Sequence, residues 1–285
     1  MCRPLLVAIG FALATGRLGA QEAIPAETVT AVKQATVFVR VETRTAKGSG
    51  SGFVVASDRE GLLIATNYHV ASLLERDQRA RLTPVEVARN LESAKISVVF
   101  NSGTPTEITA RAVALAGDAD VDLAILRVTG VKTLPKPIDY LASPKLVETM
   151  PVYLFGFPFG EALAAGNGAP AITVGKGSVS SLRYDEKNQL AVVQIDGSLN
   201  PGNSGGPVVD SKGRLVGVAV ATLRNGQGIG FAVPAAELAK VLKGSLGRVH
   251  VTATKAGEGK FKIRAEVGVI DPTASLRGVT LHYLV

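Results

Sequence analysis

The segment that decides the fold is residues 199–207, which read Leu-Asn-Pro-Gly-Asn-Ser-Gly-Gly-Pro. It places Ser204 among three glycines, directly after Asn203, between strand-like runs at residues 191–195 and 215–221. Glycines let the backbone turn so tightly that successive N–H groups can point into one small space and hold an anion. A serine hydroxyl beside such a turn could attack a carbonyl group whose oxygen becomes negative within reach of those N–H groups. The same residue types are common in ordinary β-hairpin turns, so the segment alone leaves both interpretations open.

Short apolar runs separated by Gly, Pro, Asn and Asp fill most of the chain and predict strands. They lie at residues 35–43, 52–56, 62–66, 95–100, 108–116 and 123–128, and again at residues 150–155, 171–181, 191–195, 207–210, 215–221 and 229–233. Two sets of about six strands predict an all-β fold with two six-stranded antiparallel β-barrels. The barrels would cover about residues 31–132 and 145–242, joined by a proline-containing connector at residues 133–144.

Helical patterns interrupt the strands. Residues 27–33 predict a short helix, and residues 234–242 predict a helix that closes the second barrel. Residues 72–93 are rich in Leu, Glu, Arg and Ala and predict a helical insertion on the first barrel, with a helix start at residues 83–86. Residues 245–285 return to alternation and predict a short C-terminal β-segment of two to four strands, either appended to the barrels or the start of a further module.

Composition excludes several classes of function. The net charge of the 285 residues is +7, but the basic residues are scattered, only 5% of residues are aromatic and Trp is absent, which argues against nucleic-acid binding. The three histidines are isolated in the sequence, so we expect no metal site. The glycine-rich residues 48–52 lack a following Gly-Lys-Ser/Thr and do not open a helix, so we expect no phosphate loop and no cofactor.

The first 20 residues have the pattern of a secretory signal peptide. Arg3 precedes an apolar run at residues 5–14, and small residues stand before a predicted cleavage site ahead of Gln21. Cys2, the only cysteine, lies within this leader, so we expect a mature chain without thiol or disulfide, which is typical of some exported bacterial proteins. We therefore expect a periplasmic or extracellular protein without stable membrane insertion, since no later apolar run is long enough to span a bilayer.

Two further segments place reactive side chains near strand ends. His69 stands where a strand-like run gives way to the helical insertion, and an apolar strand is preceded by three aspartates, Asp118, Asp120 and Asp122. A lone histidine is often structural, and an aspartate before a strand is often part of a solvated turn. However, loops at strand ends also carry many functional residues.

The order His, Asp, Ser along the chain connects these candidates. A serine hydroxyl is a weak nucleophile that needs a base, a neutral imidazole can act as that base, and a carboxylate fixes the tautomer of the imidazole. This chain order is one of three known for such a triad, and it is the order found with double β-barrels.

The motifs resemble those of trypsin-like (chymotrypsin-fold) serine proteases, and in particular the HtrA/Deg-type branch. The resemblance covers roughly residues 31–242 and rests on the segments at residues 66–70, 122–126 and 202–207, with support at residues 48–53, 156–160, 175–180 and 228–234. It implies that His69 is the general base, that Asp122 orients it, and that Ser204 is the nucleophile. Asp118 and Asp120 are the fallback for Asp122. The N–H groups of Gly202 and Ser204, with Asn203 between them, would form the oxyanion hole.

The specificity pocket is also inferred from the resemblance. Ser198 stands six residues before Ser204, where relatives that cut after Lys or Arg have an acid, and Asp196 is expected to be structural. The predicted substrate-binding residues are small, polar or aliphatic: Ser198, Leu199, Ala219, Val220, Ala221, Thr222 and Ile229. We expect a preference for a small or medium aliphatic side chain before the scissile bond.

The sequence thus predicts an exported serine endopeptidase with a protease domain at residues 21–244. It would hydrolyse polypeptides, including unfolded proteins, through an acyl-enzyme intermediate in envelope protein quality control or processing. The insertion at residues 72–93 would shield or gate the cleft. Relatives usually carry PDZ domains, which bind peptide C-termini; we expect none here, because about 43 residues follow residue 242. Two alternatives stay open: a catalytically silent relative that binds peptides or an envelope partner, and an esterase acting on small acyl esters.

Overall fold

The fold consists of two closed six-stranded antiparallel β-barrels, which confirms the predicted class. The computed structural model describes residues 23–132, 134–164, 168–197, 199–220 and 228–280. The predicted signal peptide therefore lies outside the described residues.

Barrel one is formed by the strands that precede the connector. They are β1 (Thr36–Glu42), β2 (Lys47–Asp58), β3 (Gly61–Thr66), β4 (Lys95–Phe100), β5 (Ile108–Asp118) and β6 (Leu123–Val128). Their order around the barrel is β1-β2-β3-β6-β5-β4. Side chains alternate between the two faces of a strand. In β3, Leu62 and Ile64 accordingly fill the barrel interior, whereas Leu63 and Ala65 face outward into the cluster between the barrels. β3 is therefore buried on both faces.

Barrel two repeats this arrangement. Its strands are β7 (Pro151–Gly156), β8 (Thr173–Tyr184), β9 (Leu190–Ile195), β10 (Pro207–Val209), β11 (Leu215–Val220) and β12 (Gly230–Pro234). They close in the order β10-β11-β12-β9-β8-β7. Alternate residues such as Val152, Val193 and Val208 form the interior and are fully buried or nearly so. The segment at residues 199–206 leads directly into β10, all three residues of which are buried.

A large apolar cluster joins the two barrels. Phe53 and Ile125 of barrel one meet Phe155 and Leu215 of barrel two, and all four side chains are at most 1% exposed. Burial of a side chain of this size stabilises the folded state by about 1.5–3 kcal/mol. The cluster fixes the barrels against each other, so loops from one barrel are held at fixed positions over the other.

The helices lie at the ends of the barrels and in the predicted insertion. They are α1 (Ala26–Ala35), α2 (Tyr68–Ser72), α3 (Arg76–Arg79), α4 (Pro84–Ser93) and α5 (Ala235–Lys243). α4 begins where the sequence predicts, since the Thr83 hydroxyl accepts the Glu86 N–H at 3.3 Å and the Glu86 carboxylate accepts the Thr83 N–H at 2.8 Å. No helix of the described residues is long and apolar enough to cross a membrane.

The C-terminal β-segment is a two-stranded antiparallel hairpin of β13 (Ser245–Gly257) and β14 (Lys260–Ile270). It follows α5 directly. Its outer part is exposed, but Arg248 near its base contacts the helical insertion and the loop before β6. The hairpin is therefore attached to barrel one, although α5 belongs to barrel two.

Candidate active site

His69 lies in the first turn of α2, directly after β3. Its ring Nδ1 is 2.8 Å from Oδ2 of Asp122, and its backbone N–H donates to Oδ1 of the same carboxylate at 2.9 Å. One aspartate thus holds both the ring and the backbone of the histidine. Because Nδ1 faces a carboxylate, which only accepts hydrogen bonds, the proton of the neutral ring belongs on Nδ1 and the Nε2 lone pair is left for another partner.

Asp122 stands at the start of β6 in a left-handed conformation, with φ of 64°. This conformation is uncommon for residues other than glycine and is sustained only when the surroundings determine it. The Asp122 carbonyl accepts the Tyr68 N–H at 3.2 Å and the Asn67 Nδ2 amide at 3.0 Å. Both partners directly precede His69, so the segment that carries the histidine also fixes the conformation of Asp122.

The two other aspartates serve different contacts. Asp118 Oδ1 accepts the N–H groups of Asp120 and Val121 at 2.9 and 3.1 Å and thereby closes the turn before β6. Asp120 pairs with Arg248 of the hairpin. Of the three candidates, the described contacts bring only Asp122 to His69.

Arg79 at the end of α3 is a partner of Asp122 that the sequence reasoning missed. Its Nη1 donates to Asp122 Oδ1 and to the Ala119 carbonyl, the latter at 3.1 Å. The Arg79 side chain is only 6% exposed, and its guanidinium carbon lies 5.8 Å from the ring centroid of Tyr68. Asp122 supplies the counter-charge that this buried guanidinium needs, because an unpaired charge is costly to bury.

Tyr68, the neighbour of His69, is completely buried. Burial raises its pKa to about 12, although the nearby Arg79 and Arg248 cations act in the opposite direction. The phenol therefore stays neutral and donates to the Val87 carbonyl of α4 at 3.2 Å. This hydrogen bond joins the histidine segment to the longest helix of the insertion.

Ser204 lies in the glycine turn predicted to carry the nucleophile, and its residue is 5% exposed. Gly205 has φ of 86°, and a Cβ atom there would lie 2.1 Å from the Ser51 carbonyl oxygen and 2.3 Å from Thr66 Oγ1. Only glycine fits both this conformation and this space. The Ser51 N–H donates to the Ser204 carbonyl at 2.8 Å, so β2 of barrel one holds the turn of barrel two.

The predicted oxyanion donors lie on the same turn. The Pro201 carbonyl accepts the Phe159 N–H at 2.6 Å, and since the peptide is trans, the Gly202 N–H points to the opposite side from Phe159. The Asn203 N–H donates to the Asn200 carbonyl at 3.0 Å and is engaged within the turn. Of the three N–H groups in the predicted oxyanion hole, that of Asn203 is therefore engaged within the turn and that of Gly202 is directed away from Phe159.

The predicted specificity residues fall into three groups. Ser198, Ala221 and Thr222 lie outside the described residues. Ala219 is fully buried in the barrel-two core, while Val220 and Leu199 are half-buried and Ile229 is 46% exposed. The Asp196 carboxylate accepts the Ser178 N–H, which fits its expected structural role.

Leu199 packs against Gly230 of barrel two. A Cβ atom on Gly230 of β12 would lie 1.7 Å from Cδ1 of Leu199, so the leucine side chain covers this glycine. Leu199 also borders a cavity of about 200 Å³. Its other described lining residues are Val152, Leu154, Gly175, Lys176, Gly177, Ile195, Gly197 and Val208. None of them carries a carboxylate that could pair with a basic substrate side chain.

Within the described residues, no group of three or more His, Cys, Asp or Glu side chains is placed to hold a metal ion. The chemistry that the described groups can perform is that of a hydroxyl, an imidazole and a carboxylate beside backbone donors.

Comparison with known proteins agrees with this geometry. Residues 50–218 match the family described as the trypsin-like peptidase domain. The chain is 31% identical over 197 residues to Protease Do-like 1, chloroplastic, of Arabidopsis thaliana (66% of this chain, 37% of the relative). It is 30% identical over 206 residues to the serine protease HtrA-like of Staphylococcus aureus strain USA300 (68% of this chain, 23% of the relative). The chain thus spans well under half the length of these curated relatives.

Among solved structures, the serine endoprotease from Yersinia pestis is similar, with 27% identity and a TM-score of 0.53 over 75% of this chain and 64% of that one. Because the family match covers more than half of the sequence, the chain belongs to the trypsin-like peptidase family. Its relatives and structural neighbours are of the HtrA/Deg type, as the motifs indicated.

Proposed function

We propose that the protein is a serine endopeptidase that hydrolyses peptide bonds through an acyl-enzyme, with Ser204, His69 and Asp122 as its triad. The observation that carries this proposal is the 2.8 Å contact between His69 Nδ1 and Asp122 Oδ2, made in a chain whose Ser204 turn is hydrogen-bonded to the same barrel. Family membership supports the assignment.

Each residue would have a distinct part in the reaction. His69 Nε2 takes the proton from Ser204 Oγ as the oxygen attacks the substrate carbonyl carbon, and Asp122 stabilises the imidazolium that forms. The N–H groups of Gly202 and Ser204 stabilise the oxyanion. His69 then gives its proton to the leaving amine, and an activated water repeats the sequence to release the acyl group and regenerate Ser204.

Polypeptides with a small or medium aliphatic residue before the scissile bond are the proposed substrates. Leu199 covers Gly230, and no described residue of the adjoining cavity is acidic, so a long basic side chain would find neither room nor a counter-charge. We also propose that unfolded proteins of the cell envelope are natural substrates, since the first 20 residues resemble an export signal.

Hydrolysis of a fluorescently labelled unfolded protein tests the activity. The wild-type protein should release peptides, and Ser204→Ala should be inactive while remaining folded. Mass spectrometry of the products should show Ala, Val or a similar residue before the cut. Turnover of small esters without any cleavage of the polypeptide would contradict the endopeptidase assignment, and a dominant preference for Lys or Arg would contradict the pocket.

Export is tested separately. When the full chain is produced in a bacterium, the periplasmic fraction should contain a protein whose N-terminal residue is Gln21. Retention of the whole protein in the cytoplasm with its first 20 residues attached would contradict export, without bearing on the activity.

A further inference from the structure

We propose that Arg79 is a positioning residue for the catalytic carboxylate, and that Arg248 of the C-terminal hairpin holds Arg79 in place. The proposal rests on the proposed function, because it concerns the orientation of Asp122 toward His69. It adds two residues to the site that lie outside the triad motifs, one of them outside both barrels.

The two carboxylate oxygens of Asp122 have different partners. Oδ2 faces His69 Nδ1, whereas Oδ1 accepts both the His69 N–H and Nη1 of Arg79. The same Nη1 also donates to the Ala119 carbonyl, three residues before Asp122. A charged donor on one carboxylate oxygen fixes the rotation of the carboxylate, and this rotation determines where the other oxygen meets the imidazole.

The Arg79 side chain is deeply buried. The side chain is 94% removed from solvent, and its Nε has no hydrogen-bond partner in the described part of the chain. A guanidinium buried with one nitrogen unsatisfied is retained at a cost in stability. Its counter-charge is Asp122, which is itself only 13% exposed. The Arg79–Asp122 pair is therefore better explained by a role in orienting the carboxylate than by a contribution to the stability of the fold.

The helix α3 cannot hold Arg79 in place by itself. The helix has four residues, which is too short to be stable without tertiary contacts. Arg248 supplies such contacts: its Nη1 donates to the carbonyls of Arg79, Ala80 and Leu82 at 3.1, 3.2 and 2.7 Å. These carbonyls lie at the C-terminal end of α3 and in the turn that follows it, where a cation can pair with carbonyl groups that the helix leaves unsatisfied.

Arg248 also contacts the loop between β5 and β6, which contains Asp120 and Asp122. Its guanidinium pairs with the carboxylate of Asp120, two residues before Asp122, and hydrogen bonding to Asp120 raises the pKa of Arg248. One arginine of the hairpin therefore ties the end of α3 to the loop that carries Asp122. Loss of Arg248 should loosen both sides of the Arg79–Asp122 contact.

Four single variants of the full chain test the proposal: Arg79→Met, Arg79→Lys, Arg248→Met, and Arg76→Met as the control. Arg76 lies in the same helix α3 and is exposed, so its variant removes the same charge without touching Asp122. For each variant, kcat and KM on a peptide substrate, the rate of fluorophosphonate labelling and the thermal midpoint are measured.

We expect Arg79→Met to lower kcat by about 10–100-fold with KM changed less than about twofold, because a misplaced carboxylate affects chemistry rather than ground-state binding. Arg79→Lys keeps the positive charge but loses the planar guanidinium with its several N–H donors, so its kcat should lie between those of Arg79→Met and the wild type. Arg248→Met should lower kcat by a smaller factor, and Arg76→Met should leave it unchanged.

Chemical rescue separates positioning from general stability. In Arg79→Ala, added guanidinium ion at low millimolar concentration should restore a measurable part of kcat, whereas sodium at equal ionic strength should not. A merely structural role would not respond in this way, since guanidinium destabilises folded proteins.

The failures of the two proposals can be distinguished. If Ser204 of the wild-type protein is labelled but kcat is unchanged in Arg79→Met, the positioning role alone is overturned. The same holds if the variants lose activity only in proportion to their lowered thermal midpoints and guanidinium restores none of it. A wild-type protein that neither labels nor hydrolyses would overturn the proposed function, and the positioning role with it.

Discussion

The two halves of the site are held in different ways. The half with His69 and Asp122 depends on long side chains that come from outside barrel one, namely Arg79 of the insertion and, behind it, Arg248 of the hairpin. The Ser204 half depends on backbone hydrogen bonds and on glycines that leave no room for a Cβ atom. Both halves thus depend on contacts between segments distant in the chain, but the Ser204 turn is held by backbone groups, whereas the His69–Asp122 pair is also held by charged side chains.

Replacing the carboxylate should have the largest effect on the acid–base half. Asp122→Asn should lower kcat by about 10⁴-fold, because an amide no longer holds the imidazole in the useful tautomer. It should also lower the free energy of unfolding by about 3 kcal/mol, since the buried Arg79 cation loses its counter-charge. Enzyme kinetics and denaturant unfolding measure the two quantities.

The double variant Arg79→Met with Asp122→Asn is the matched control for that prediction. It should recover part of the lost stability but none of the activity, because it removes the uncompensated charge without restoring a carboxylate. Additive losses of stability in the double variant would show that the two groups do not interact as described.

Adding a methyl group to the turn that carries Ser204 should disrupt the Ser204 half of the site. In Gly205→Ala the new Cβ would meet the Ser51 carbonyl and Thr66 Oγ1 at a φ that disfavours alanine, so we expect hydrolysis to fall at least about 100-fold through displacement of Ser204. Gly130→Ala is the control, since Gly130 has a similar φ of 79° with no atom near its would-be Cβ. Equal losses of activity in both variants would mean that the close approach to barrel one is unimportant.

Leu199→Ala should change specificity rather than chemistry. Shortening this side chain uncovers Gly230 and enlarges the adjoining cavity, so kcat/KM for a substrate with Leu before the cut should rise about tenfold relative to one with Ala. Leu182→Ala, in the same core cluster but away from the cavity lining, serves as the control. An unchanged ratio in a cleavage profile would exclude Leu199 from the specificity pocket.

The smallest effect should come from the pair of Arg127 and Asp58, whose carboxylate is 43% exposed and therefore contrasts with the buried carboxylate of Asp122. Arg127 donates to both oxygens of Asp58 at 2.8 and 2.9 Å, and this hydrogen bonding holds the pKa of Asp58 below its ordinary value of 3.8. The pair therefore stabilises the fold at pH values above the ordinary pKa, and this contribution disappears as the pH falls through the lowered pKa.

Asp58→Asn should accordingly lower the thermal midpoint by no more than about 2 °C at pH 7, and the difference from wild type should shrink on acidification to pH 3 and below. Activity should not change. A difference that grows on acidification would contradict the lowered pKa of Asp58.

Features of this molecule that depend on neighbouring residues could be predicted from the sequence. Alternation and turn residues mark the strands of both barrels, and the glycines around Ser204 mark its turn. Thr83 and Glu86 mark the start of α4 by their capping pattern. Each of these signals acts within a few residues, so a single sequence contains it.

Arg79 and Arg248 had no such signal. Arg79 is 43 residues from Asp122 along the chain, and Arg248 is 128 residues from Asp120. Both look like ordinary surface arginines until the barrels, the insertion and the hairpin are brought together. The half-buried position of Leu199 over Gly230 is likewise a contact between separate segments, so the sequence could name Leu199 as a pocket residue without giving the shape of the pocket.

The most direct test of the account is to treat the purified protein with a fluorophosphonate and map the adduct by mass spectrometry. The account predicts one adduct, on Ser204, that is absent in Ser204→Ala and forms much more slowly in His69→Ala, while exposed serines such as Ser143 stay unmodified. Absence of an adduct on wild-type Ser204, or equal reaction in His69→Ala, would contradict an assembled catalytic triad.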